Sequence, residues 1–398
     1  MKVLMINSVC GIGSTGKICT DLASELEGKG HTVKIAYGRG IVPKKYEKYA
    51  VRIGNDFDVY EHGIRARIFD CDGFGSKDAT KNFIKWVMYY DPDVIHLHNL
   101  HGYYINIELL FEYIKNFRKK VIWTLHDCWA FTGHCAHFAF NGCYKWIDGQ
   151  CVDCQFKNVY PKSILFSNSN LNFLKKEFLF CGVADLTIVT PSKWLANLVE
   201  KSFLKNYSIK VINNGIDINI FQPTLTDFKE RYDLNNKVVL LGVAFDWGVR
   251  KGLDLFVSLA QKLPENYQII LVGTNSNVEK QLPSNIIAVK KTNSQKELAE
   301  IYSIADVFLN LTREDNYPTV NMESIACGTP VITFNTGGSI ESIDNDTGWI
   351  VEQGDIGAII NILQCDLHRK SYFQDCVNKR LLFDKSIMCI KYMELYLT

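Results

Sequence analysis

Nowhere does the chain hold an apolar run of the roughly 18 residues that a helix needs to cross a membrane. Its opening, Met1-Lys2-Val3-Leu4, leads directly into a short apolar strand and lacks the charged-then-apolar pattern of a secretory signal. Charge of either sign is not in surplus. A formal net charge of +1 over 398 residues supplies no basic excess for phosphate contacts, which excludes a nucleic-acid binder. Low-complexity tracts and short internal repeats are missing as well. The expectation is a folded cytoplasmic protein with no nucleic-acid partner.

Hydrophobic mass is what the chain does have. With 47% of its residues apolar, it can bury two cores of ordinary domain size. Thirteen cysteines in such a chain read as reduced thiols, packed groups or metal ligands and not as a disulfide framework. Two local basic clusters, Lys115 with Arg118, Lys119 and Lys120, and Lys175-Lys176, stand beside aromatic residues. They read as solvated helix faces, the alternative being a peripheral contact with the anionic inner face of the cytoplasmic membrane.

Apolar strands at 3–7, 33–37, 94–97, 121–125, 186–190 and 211–212 alternate with helical stretches at 18–26, 107–117 and 193–204. Beyond Phe221-Gln222-Pro223 the pattern restarts. Strands at 238–243, 268–272, 286–289, 307–311 and 331–334 then alternate with helices at 253–263, 295–305 and 356–363. This alternation predicts an α/β fold of two doubly wound Rossmann-like domains, residues 1–222 and 223–375. A final helical segment, 376–398, is expected to pack back on the first domain. Ligands of such sheets bind beyond the carboxyl ends of the strands, which for two facing domains means the cleft between them.

One stretch concentrates the chemistry. After the strand at 307–311 come Glu314, Asp315, Asn316 and Pro318, and Gly328 ends the helix that Pro318 opens. A strand end there meets a helix amino terminus, whose unpaired N–H groups and dipole suit an anion such as a phosphate. Asp315 and Glu323 flank the junction with acceptors for hydroxyl groups. Phosphate together with hydroxyls points to a sugar nucleotide.

Gly11-Ile12-Gly13-Ser14-Thr15-Gly16-Lys17 follows the first strand and matches two fingerprints, each lacking a residue its chemistry requires. Read as a nucleoside-triphosphate loop, it has Ile18 where a hydroxyl should hold magnesium, although Asp127 stands where a second magnesium ligand would. Read as a dinucleotide loop, it has Tyr37-Gly38-Arg39 where an acid should grip the ribose. A tight turn into a helix start, or close backbone approach to a ligand, are the other readings.

The motifs together resemble the family-4 retaining glycosyltransferases of the GT-B fold, in which two such domains face each other across a cleft. Its carriers are Gly13-Ser14-Thr15-Gly16, Val211-Ile212-Asn213-Asn214-Gly215-Ile216-Asp217 ahead of Phe221, Arg250-Lys251-Gly252, Ala305-Asp306-Val307, and the acids Asp315 and Glu323. Ile95-His96-Leu97-His98-Asn99 and His126-Asp127-Cys128-Trp129 resemble the branch that builds bacterial capsule, exopolysaccharide or O-antigen chains.

The resemblance implies transfer of a sugar from a nucleoside-diphosphate donor to a hydroxyl of a glycan or lipid-linked oligosaccharide, with no metal required. It places Glu323 on the ribose and Glu314 or Asp315 on the donor sugar. Lys251 and Arg250 would hold the diphosphate; the arginine usual after the preceding strand is replaced by Gly242-Val243-Ala244. Gly13, Asn316, Pro318, Thr319 and Val320 would line the phosphate, and His126 would contact the sugar. Because cations at a helix start oppose its dipole, something negative is expected beside Arg250 and Lys251. His96 and His98 share one face of their strand and read as lining without a named role.

Cys135, Cys143, Cys151 and Cys154 fall in a loop-rich insertion, the last two at C-x-x-C spacing, and raise a structural zinc site as an expectation. Packed or free thiols are the alternative. Two other functions are carried forward: a phosphate-loop kinase or NTPase built on residues 11–17, and a noncatalytic binding protein of GT-B fold.

Overall fold

The computed structural model describes residues 1–367 and 371–398. The chain forms two compact units, Met1–Asn213 with Met388–Thr398, and Asn214–Ile387. In the first, strands β1 (Lys2–Asn7), β2 (Thr32–Tyr37), β3 (Ala50–Arg52), β4 (Val94–Leu97), β5 (Lys120–Thr124), β6 (Leu186–Thr190) and β7 (Ser208–Val211) form a seven-stranded sheet in the order β3-β2-β1-β4-β5-β6-β7. In the second, β8 (Val238–Val243), β9 (Tyr267–Val272), β10 (Ile286–Val289), β11 (Val307–Asn310), β12 (Val331–Phe334) and β13 (Gly348–Val351) follow the order β10-β9-β8-β11-β12-β13. Every pairing is parallel.

Parallel sheets wound this way are covered on both faces, so their central strands are mostly apolar, with His96 of β4 and Asn310 of β11 among the buried polar exceptions. Val3 and Met5 of β1 join one core cluster while Leu4 and Ile6 join another. Val239 and Leu241 of β8 likewise part from Leu240. Both sheets reverse their winding next to the first strand of the unit, between β1 and β4 and between β8 and β11.

Residues 214–222, expected with the first domain, pack with the second: Ile216, Ile218 and Phe221 belong to its core. The edge strands β3 and β13 were not foreseen, since neither presents a run of buried apolar groups. Among the described residues, three helices of twelve or more residues also escaped the periodicity. Asp56–Phe69 is held by its capping box of Asn55 and Asp58 and buries little besides His62, Gly63 and Ala66. The others are Lys77–Tyr90 and Ser169–Phe180.

The last helix, Lys385–Leu397, sends Met388, Cys389, Tyr392, Met393 and Tyr396 into the core cluster that holds Val3, Met5, Ile122 and Val189. Its polar fastening is one buried imidazole. His96 Nδ1 meets the Tyr396 hydroxyl at 2.6 Å, and Nε2 meets Thr124 Oγ1 at 2.8 Å, which in turn lies 2.9 Å from the Tyr392 hydroxyl. Removing one hydroxyl leaves a buried ring nitrogen without its partner. Tyr396→Phe should therefore cost about 1–2 kcal/mol in urea unfolding, while Lys391→Ala on the exposed side of the same helix should leave the midpoint unchanged.

Candidate active site

In the second unit the ends of β8 and β11, the two strands flanking the reversal, carry the groups singled out by the motifs. Residues 249–252 dock against residues 311–315. Gly252 has φ +76°, and a Cβ there would lie 2.3 Å from the Leu311 carbonyl oxygen, so only glycine permits this approach. Arg313 donates its backbone N–H to Arg250 O at 2.8 Å, and Arg250 Nη1 returns a bond to Glu314 O at 3.0 Å. Arg313 also forks onto both carboxylate oxygens of Asp254 at 2.8 and 2.7 Å.

This docking delivers the Lys251 ammonium to Asp315, Nζ to Oδ2 at 2.5 Å, both side chains being about one-fifth exposed (19% and 20%). Something negative was expected beside the basic pair, and there, against Lys251, stands Asp315. Its own carbonyl accepts from Gly338 N at 3.0 Å, while Gly337 at φ +55° has no room for a side chain, since a Cβ would sit 2.1 Å from that oxygen. Glu314 differs sharply from its neighbour, being 1% exposed. Thus the two adjacent acids are separated by burial.

The helix Thr319–Ala326 opens with Pro318 at its N-cap position and no side-chain cap, leaving its first amide groups for water or a ligand. Asn316, Pro318, Thr319 and Val320 form this approach, and Glu323 lies one turn further on. Tyr302 donates to Glu323 Oε2 at 3.2 Å; burial, and then Glu323 itself, push the phenol well above its ordinary pKa, so it stays a donor. Asn214 Nδ2 steadies the turn through Tyr317 O at 3.2 Å. Arg250, Lys251, Glu314, Asp315, Asn316, Pro318, Thr319, Val320 and Glu323 are thus brought into one region of one unit.

Gly13 and His126 belong to the first unit. Gly13 is exposed in the first turn of the helix Gly13–Gly28. Within the same loop the Gly11 amide donates to Gly16 O at 3.1 Å, which closes the turn on itself and uses a group that a phosphate cradle would need. Asp127 is engaged too: it accepts from Trp129 N at 2.9 Å and from His101 Nε2 at 2.8 Å. Burial raises its pKa, but His101, His137 and the Trp129 amide together more than offset that and lower it to about 2.

His126 follows β5, and its Nε2 lies 3.0 Å from His98 Nδ1. Burial keeps His126 neutral, with its pKa lowered to about 4, and lowers His96 to about 3. His98 is lowered further by burial, and its Nε2 is buried without a hydrogen-bond partner among the described residues.

One expectation from the sequence changes. Lys176, read as part of a solvated face, is 1% exposed. Its ammonium donates to the carbonyls of Trp129 at 2.8 Å and Thr132 at 3.1 Å and sits 3.5 Å over the Trp129 ring. Cys135, Cys143, Cys151 and Cys154 do line one pocket. Among the described residues, however, no three His, Cys, Asp or Glu side chains are arranged to hold a metal ion. Sequence reasoning passed over His101, Tyr302 and Asp254, because each acquires its role from a partner at least 20 residues away.

Residues 15–220, half of the chain, match the profile of Glycosyltransferase Family 4, and residues 227–376 match Glycosyl transferases group 1. The chain belongs to glycosyltransferase family 4. It is a glycosyltransferase, and neither the phosphate-loop nor the noncatalytic alternative is favoured.

Among its relatives is WcaC of Escherichia coli K12, named for colanic acid biosynthesis, 24% identical over 91% of this chain and 90% of that protein. Sucrose-phosphate synthase of Thermosynechococcus elongatus superposes with a TM-score of 0.72 at 17% identity, covering 99% of this chain and 98% of that one. HepE of Anabaena, solved with UDP-glucose, gives 0.68 at 13% identity over 99% of each chain. The structural likeness shows the fold, two Rossmann-like units of the GT-B class.

The buried histidines set a pH dependence. In the unfolded chain each titrates near about 6.5, whereas His96 and His126 in the folded enzyme stay neutral down to about 3 and 4. The unfolded state therefore binds more protons across that interval, so stability is fully present above about 6.5 and is lost as pH falls through the folded values. Urea unfolding at pH 7.5, 6.0 and 5.0, about two and a half units in all, should show a decline of a few kcal/mol. His96→Asn should flatten that slope while lowering stability at every pH.

Proposed function

We propose that the second unit binds a nucleoside-diphosphate sugar. The enzyme then transfers the sugar, with anomeric configuration retained, to a hydroxyl of a lipid-carried glycan during synthesis of a bacterial surface polysaccharide. The observation that carries this reading is the Lys251–Asp315 pair at the winding reversal, with the uncapped start of Thr319–Ala326 and Glu323 beyond it. Membership of family 4 and the colanic acid relative support the same reading.

Cleaving a glycosyl phosphate bond leaves negative charge on the departing diphosphate, and preformed donors aimed at it lower the barrier. Lys251, Arg250 and the amide groups at Thr319 and Val320 supply them. Asp315, the more exposed of the adjacent acids, accepts from the donor sugar's hydroxyls, while Glu314 stays beneath as support. Glu323, held by Tyr302, takes the ribose hydroxyls. As the sugar carbon becomes oxocarbenium-like, the leaving phosphate oxygen accepts the acceptor's proton on the same face, so no protein nucleophile is needed. His126, neutral, offers a hydrogen bond to the sugar, and the backbone at Gly13 allows close approach. No metal is assigned a role.

Replacing a donor that serves the developing charge costs on the order of 100-fold in turnover, and Lys251→Ala should reach that loss in a donor-consumption assay, while Glu323→Ala, which removes the ribose contact, should chiefly raise the KM for the donor. Lys17→Ala should stay within about threefold of the parent. Thermal stabilisation should appear with one of UDP, GDP, ADP and CMP and survive EDTA. A strict magnesium requirement, or full activity in Lys251→Ala, would sink the proposal.

Membrane contact is supported by an apolar face on the first unit. Ile164 and Phe166 donate backbone N–H groups to the carbonyls of Arg67 and Ile68, and the Phe69 and Phe166 rings stack at 5.8 Å. Ile164, Leu165, Phe166 and Phe69 are each about half exposed or more, with Arg67 and Lys162 in the same two segments. Such a face suits an anionic bilayer surface. Sedimentation with phosphatidylglycerol vesicles should carry the enzyme down at low salt, and Leu165→Ser with Phe166→Ser should leave it in solution. No sedimentation of the parent would remove the membrane from the proposal.

A further inference from the structure

One cation of the first unit has no part in the donor chemistry. Arg39 leaves the carboxyl end of β2, in the Tyr37-Gly38-Arg39 stretch where a dinucleotide enzyme would place an acid. Its backbone is fixed. The Gly38 and Arg39 amides both donate to Ser8 O, at 3.2 and 3.1 Å, and Gly38 packs so closely on Tyr104 that a Cβ would lie 1.9 Å from the Cβ of the tyrosine. The partly buried guanidinium, by contrast, has no hydrogen-bond or ion-pair partner among the described residues.

That guanidinium rests on bare backbone. Gly102, past the end of β4, has φ +107°, and a Cβ there would lie 3.3 Å from both Cζ and Nη2 of Arg39. The sheet reverses its winding between β1 and β4, so the charge stands beside the place where a doubly wound sheet takes its ligand. Two acids of this region are committed elsewhere. Buried Asp72 accepts from the Gly102 and Tyr103 amides at 3.3 Å, and Asp127 is held by His101 and Trp129.

Two phenols complete the surroundings. The Tyr160 hydroxyl lies 2.9 Å from His101 Nδ1, and Tyr103 follows Gly102 in the chain. Burial pushes both phenols up, Tyr103 to about 12, while Arg39 opposes the rise in each; at neutral pH both keep their protons. A guanidinium without a carboxylate, with phenol protons near it, suits an oxyanion, whose two oxygens its planar fork can grip. Four residues past Tyr160 begins the apolar face of Ile164, Leu165 and Phe166. An anion that arrives attached to a lipid fits both features.

We propose that Arg39 anchors an acceptor-phosphate site: its guanidinium, laid over Gly102 and assisted by Tyr103 and Tyr160, binds the phosphate or diphosphate that joins the acceptor glycan to its lipid. This rests on the acceptor being lipid-carried. The site belongs to the acceptor and not to the donor, whose diphosphate meets Lys251 and Arg250 in the second unit. Arg39 holds the acceptor in place and takes no part in breaking the donor's bond.

The test uses the full chain with its donor site filled by whichever nucleoside diphosphate stabilises it, or carrying Lys251→Ala if none does. Farnesyl diphosphate, farnesol and inorganic pyrophosphate are titrated by calorimetry. Farnesyl diphosphate should bind about tenfold or more tightly than farnesol, Arg39→Gln should weaken it by about tenfold or more, and Arg39→Lys should restore part of the loss. Competition by pyrophosphate assigns recognition to the phosphates alone; its absence adds the lipid to what the site requires. Farnesyl diphosphate should also slow phenylglyoxal modification of Arg39 in the parent, mapped by mass spectrometry, which decides the matter if Arg39→Gln does not fold. No binding of farnesyl diphosphate by the parent, equal binding of farnesol, unchanged binding in Arg39→Gln, or an unprotected Arg39 overturns the proposal. Loss of nucleotide stabilisation in Arg39→Gln overturns it too, since Arg39 would then serve the donor. If no nucleotide stabilises the parent, the donor assignment in the second unit falls, while the acceptor-phosphate site is still decided by its own titration.

Discussion

Covering a parallel sheet on both faces drives polar side chains off its strands and gathers them where the strands end. Both units of this enzyme obey that constraint, and the chemistry follows from it. Strands such as β1 and β8 divide their residues between two apolar clusters. What remains for binding is the set of loops leaving the carboxyl ends, and the winding reversal separates two of those loops enough to admit a ligand. Lys251 and Asp315 come from the two loops at that reversal in the second unit.

The same constraint explains the backbone details. A loop that must present a cation to a neighbouring loop has to lie against it, and at Gly252 the chains come so close that no side chain fits. Gly337 plays the equivalent part behind Asp315. The ion pair is thus a consequence of close loop packing, while the Arg313 fork onto Asp254 keeps that packing in register. In the first unit, burial acts instead on histidines: His96, His98 and His126 are held neutral, and His96 serves as the polar clasp for the last helix.

Much of the sheet framework was readable because buried parallel strands leave a strong signal. The strands at 238–243 and 331–334 fall where the apolar runs stand. Edge strands β3 and β13 left none, since half-covered residues break the run. Lys176 shows the opposite failure: a lysine beside a lysine reads as surface, and only the Trp129 ring and two carbonyls, more than 40 residues away, make its burial tolerable.

From the amino acids alone came the two-sheet architecture, the membership motifs and the residues gathered around 314–323, because these depend on local periodicity, helix signals and spacing. The folded molecule decided how those residues differ. Asp315 faces Lys251 while Glu314 is buried, a distinction between neighbours that no pattern carries. It also decided that the four cysteines share a pocket. Charge pairing, burial and pKa are set by contacts between segments distant in the chain, and those exist only once the sheets have closed over their cores.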